Sequence, residues 1–68
     1  MNEDKLNMSI RQYLKKVGIT SQREIEYAVR KAVETGVINN AEPIKLQMVL
    51  SVPALNINHQ IDGDISLE

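Results

Sequence analysis

The sequence contains no cysteine, tryptophan or phenylalanine, and its only aromatic residues are two tyrosines. Without thiols it forms no disulfide, builds no thiolate metal site and offers no cysteine nucleophile. Without Phe and Trp, any core falls to Leu, Ile, Val and Met. A chain of 68 residues buries only about 60% of the surface its unfolded form exposes. Each large apolar side chain therefore counts, and association with a second copy is a direct route to added stability. A basic excess is also missing: eight Lys and Arg stand against nine Asp and Glu, which argues against a nucleic-acid footprint. No apolar run reaches the roughly 18 residues of a membrane span, and Met1-Asn2-Glu3-Asp4 has the wrong charge for a signal peptide. The expectation is a cytoplasmic protein with no membrane partner.

Charge is unevenly distributed. Through Thr35 there are seven basic and five acidic residues, and from Gly36 onward one basic and four acidic. The apolar pattern changes in the same region. Leu6, Ile10, Tyr13, Leu14 and Val17 fall on one stripe at 3.6 residues per turn. Asn2 can cap that helix, Glu3 and Asp4 suit the positive end of its dipole, and Gly18 offers a stop. These signals predict a first helix over residues 3–17. Ser21-Gln-Arg-Glu24 has the form of a capping box and predicts the start of a second helix. Ile25, Ala28, Val29, Ala32 and Val33 make its buried face, and Gly36 supplies its left-handed end.

From Ile44 the period becomes two. Ile44, Leu46, Met48, Leu50 and Val52 alternate with Lys45, Gln47, Val49 and Ser51, and the odd positions Leu55, Ile57, Ile61, Ile65 and Leu67 repeat the alternation. A turn centred on Ala54-Leu55 sets Val52 opposite Ile57, Leu50 opposite His59, Met48 opposite Ile61 and Ile44 opposite Ile65, with both apolar sets on one face. A two-residue turn at Asp62-Gly63 would send Ile65 to the other face. A three-residue turn with a bulge at 62–64, bending the second strand into a third, stays open. The expected fold is α+β with the order ααββ: two antiparallel helices packed on one face of a long antiparallel β-hairpin, in a single domain over residues 1–68. Helices of about 21 Å would leave strands of about 30 Å partly uncovered, with two open sheet edges. A homodimer that pairs hairpin edges or covers the overhang resolves both liabilities.

Few residues invite chemistry. His59, the one histidine, falls on the apolar face, while Asp62 and Asp64 have the opposite parity, so a general base or metal ligand there lacks partners. Asp62-Gly63-Asp64 lacks the further oxygens and closing glutamate of a calcium loop. Gly36-Val-Ile-Asn-Asn40 has neither the second glycine nor the lysine of a phosphate cradle. No catalytic residue, metal ligand or cofactor-binding residue is assigned, and a non-enzymatic protein is expected. Arg23, Tyr27, Arg30 and Lys31 recur at helical spacing on the outer face of the second predicted helix, the candidate surface for a protein partner or, as an alternative, for nucleic acid as a small regulator. Glu26 and Glu34 offset that field. Val17-Gly18-Ile19 has the spacing of a helix-turn-helix, but Glu24 then stands where a buried residue belongs, so that motif fails by one position. Met8 points away from the first stripe near Arg11 and Lys15, a second place for a partner contact.

Met1-Asn-Glu-Asp, Asn7-Met-Ser with Arg11, Val17-Gly-Ile-Thr-Ser-Gln22, and Ile61-Asp-Gly with Ile65 and Leu67 together resemble a family of short, uncharacterised bacterial proteins, a domain of unknown function. The resemblance spans nearly the whole chain and implies a self-contained bacterial protein. It transfers no catalytic residue, cofactor or partner. Leu67-Glu68 has the form of a cloning scar, yet Leu67 continues the apolar alternation, as a native ending would. The sequence thus leads to a non-enzymatic interaction module that associates with itself through its hairpin and meets an unidentified protein partner.

Overall fold

The computed structural model describes residues 1–39 and 41–68, and the chain divides into two units, Met1–Val37 and Ile38–Glu68. The first unit is one α-helix, α1, running from Glu3 to Glu34. At 1.5 Å per residue it is about 48 Å long. Asn2 caps it as expected: its side-chain oxygen accepts from the Lys5 backbone N–H at 3.1 Å, with Glu3 and Asp4 in the first turn.

The expected division into two helices is therefore wrong, and with it the ααββ order. Gly18 does not stop the first helix, and Ser21 lies inside α1 rather than at a new N-terminus. A lone glycine in a helix interior costs only about 1 kcal/mol relative to alanine. Breaking the helix there would strand four N–H and four C=O groups, with no proline nearby to force the break. Where a glycine ends a helix it commonly takes the left-handed conformation, and Gly36, not Gly18, has positive φ among the described glycines. The end of the helix agrees with the sequence reading. Gly36 at φ 75 lets its own N–H reach the Val33 carbonyl at 3.2 Å and the Val37 N–H reach the Ala32 carbonyl at 2.9 Å. This double bond pattern closes the last turn.

The second unit is an antiparallel hairpin of β1 (Ile44–Val52) and β2 (Ile57–Ile65). Pro53–Leu55 form a single 3-10 turn between them. Proline suits the start of that turn because its φ is already fixed, and Asn56 exits it at φ 56, a left-handed conformation asparagine tolerates better than most residues. The register is the one the alternation predicts: Ile44 opposite Ile65, Met48 opposite Ile61, Leu50 opposite His59 and Val52 opposite Ile57. The strand β2 runs unbroken through Asp62, Gly63 and Asp64, so the bulge and third strand do not form.

Neither unit has an interior. No described residue is buried. Along α1, Val17, Ser21, Ile25, Val29 and Ala32 are half-buried, while Leu6, Ile10 and Leu14 are exposed. On the hairpin the apolar face is likewise open, with Met48, Leu50, Ile57 and Ile61 exposed.

Candidate functional site

The structure brings together three of the four residues read from the sequence as a candidate partner surface. Tyr27, Arg30 and Lys31 gather with Glu34 around one shallow depression of about 230 Å³. Arg23 instead borders a neighbouring one with Ile19, Gln22 and Glu26. Helical spacing explains both groupings, since residues three and four apart are surface neighbours. The Lys31 ammonium sits 5.7 Å from the centre of the Tyr27 ring, within cation–π range, an attraction of about 0.5–1 kcal/mol at an exposed site. Arg30 pairs with Glu26, Nη2 to Oε2 at 3.6 Å. The other Glu26 oxygen accepts from the Gln22 amide at 2.8 Å.

These contacts bear on what the surface can do. Tyr27 is 64% exposed, open enough to stack on a partner, but one cation is already drawn to its ring. Arg23, Arg30 and Lys31 carry three positive charges against two from Glu26 and Glu34. A net of one charge gives a weak field for phosphates.

On the hairpin, His59 lies opposite Leu50 in the apolar set, whereas Asp62 and Asp64 stand opposite Gln47 and Lys45 in the polar set. The structure does not bring the histidine and the acids together. Asp62 accepts from the Gln60 amide at 2.8 Å, and the hollow beside it, about 670 Å³ and bordered by Lys45, Gln60, Asp62 and Asp64, is an open surface of the polar face. No group of three or more His, Asp or Glu side chains able to hold a metal ion occurs among the described residues. The segment read as a failed phosphate cradle includes Asn40, which lies outside the described residues. No helix among the described residues is long and apolar enough to cross a membrane.

The feature the sequence reading missed is the length of the helical stripe. The first predicted stripe ends at Val17 and the second begins at Ile25, and half-buried Ser21 bridges them at intervals of four. That spacing passes Gly18 without a change of phase, which was the available signal that one helix continues. The hairpin leaves a second unmatched feature: a two-stranded sheet has an open edge on each strand.

Over residues 1–68 the chain matches, and belongs to, a family described as a family of unknown function (DUF6494). No curated protein and no solved structure matches it.

Proposed function

We propose that this protein is a non-enzymatic interaction module that associates with itself, and that its folded state is completed by a second copy. The observation that carries the reading is the absence of any buried residue among those described, together with a long apolar stripe and an apolar hairpin face. A lone helix has little stability in water without a covered face, and an isolated hairpin is marginal at best. Pairing along an open sheet edge adds backbone hydrogen bonds to the apolar gain. The bacterial and cytoplasmic setting expected from the sequence belongs to the same proposal.

The test is the mass of the unmodified chain in solution by light scattering. At high micromolar concentration the reading requires twice 7.7 kDa or a higher multiple. A mass of one chain across that range would overturn it. Nucleic-acid binding through Arg23, Tyr27, Arg30 and Lys31 is the weaker reading, because Glu26 and Tyr27 already engage two of the three cations.

A further inference from the structure

The stripe on α1 has an eleven-residue repeat. Leu6, Val17 and Ala28 are eleven apart, and so are Ile10, Ser21 and Ala32. Eleven residues in three turns is about 3.67 per turn, close to the natural helix, so these columns stay on one face for the whole length of α1. From Leu6 to Val33 the stripe is about 40 Å long, whereas strands of nine residues reach only about 30 Å. No single hairpin can cover it end to end.

The stripe also has a direction. Its first half carries Leu6, Ile10, Tyr13, Leu14 and Val17; its second half carries Ser21, Ile25, Ala28, Val29, Ala32 and Val33, with smaller side chains on the whole and two alanines where the first half has leucine and isoleucine. Charge follows the same division. Residues 3–18 hold four basic and two acidic side chains, and residues 19–34 hold three of each.

Resting on the self-association reading above, we infer that α1 pairs antiparallel with α1 of a second copy of this chain. One register matches large residues to small ones at three levels: Leu6 meets Ala32, Ile10 meets Ala28, and Val17 meets Ser21, with Leu14 beside Ile25. Leu6, Ile10 and Val17 each face a small residue, while Leu14 and Ile25 fill the layer between them, which keeps the two axes close along the contact. A parallel pair would set leucine against leucine at one end and alanine against alanine at the other, forcing the axes apart at the bulky end. It would also superpose two halves of net charge +2, where the antiparallel pair sets each against a neutral half. Such long-range charge selects orientation more than it adds affinity. The occupant is therefore a second α1 in the opposite direction.

The native absence of cysteine permits a clean test in the full chain, because a disulfide forms only where Cα atoms come within about 7 Å. Leu6→Cys and Ala32→Cys are made separately, mixed in equal amounts as reduced protein, and oxidised. The pairing expects a linked heterodimer in the mixture, approaching half of the chains, and none from either variant alone. Val17→Cys mixed with Ser21→Cys should behave in the same way at the middle of the contact. Self-linking of Leu6→Cys would overturn the inference in favour of a parallel pair. A multimeric mass for the unmodified chain with no linkage in either mixture would overturn the helix pairing while leaving self-association intact. A single-chain mass for the unmodified protein would overturn both.

Discussion

Replacing Gly18 with alanine tests whether α1 is one helix. Gly18 is in the helix interior, its φ is not positive, and a Cβ built there meets nothing within 4 Å. The substitution therefore removes the backbone entropy of glycine without a steric cost, and the stability of the helix should rise by about 1 kcal/mol. For a chain of this size that is an increase of about 4–8 °C in the melting midpoint. Thermal and urea unfolding followed by far-ultraviolet circular dichroism read the change, at one fixed chain concentration so that association does not shift the comparison. Gly36→Ala is the matched control. At φ 75 the added methyl group meets the left-handed penalty of about 1–2 kcal/mol, so its midpoint should fall although a Cβ there also meets open space. If Gly18→Ala lowered the midpoint as Gly36→Ala does, Gly18 would be ending a helix, and the continuous α1 would be refuted.

Three further outcomes follow from the same geometry. Asn2→Ala removes the acceptor for the Lys5 N–H and should cost about 1 kcal/mol, with Asn2→Ser restoring most of it in the same unfolding assay. Gly63→Ala places a Cβ 3.7 Å from Leu46 Cδ1, an ordinary contact in mid-strand, so it should stabilise by about 0.5–1 kcal/mol; a loss of more than that amount would show that Gly63 marks a bend. Arg30→Glu combined with Lys31→Glu should leave retention of single-stranded RNA or DNA at low salt unchanged from a weak starting level, whereas a strong, salt-sensitive retention abolished by the pair would restore the nucleic-acid reading.

The pairing of β1 with β2 was legible because its code is short-range, although the unbroken run of β2 through Asp62-Gly63-Asp64 was one of two readings left open. Period-two alternation from Ile44 and again from Ile57 fixes which side chains share a face, and only a turn between Val52 and Ile57 keeps both sets together. The observed register follows. Asn2 and Gly36 were equally readable, since each caps α1 through a side chain or a φ value particular to its residue type. Gly18 and Ser21-Gln-Arg-Glu24 misled because the same residues signal a boundary only when the chain leaves the helix, and nothing local compels it to do so there. Continuity is decided by the sum of many hydrogen bonds along α1, against one glycine's cost of about 1 kcal/mol. On the candidate surface, the spacing of Tyr27, Arg30 and Lys31 was readable, but the claims of Glu26 on Arg30 and of Tyr27 on Lys31 depend on rotamers. The open stripe spoke for association only once its halves were joined.

If helix and hairpin are held by contacts between copies, dilution must unfold them. A dilution series follows mass by sedimentation and helical signal by circular dichroism on the same samples. The mass should fall toward 7.7 kDa, with helical signal and cooperative melting lost along with it. A 7.7 kDa species that keeps its full helical signal and a sharp thermal transition at the lowest concentration would contradict it.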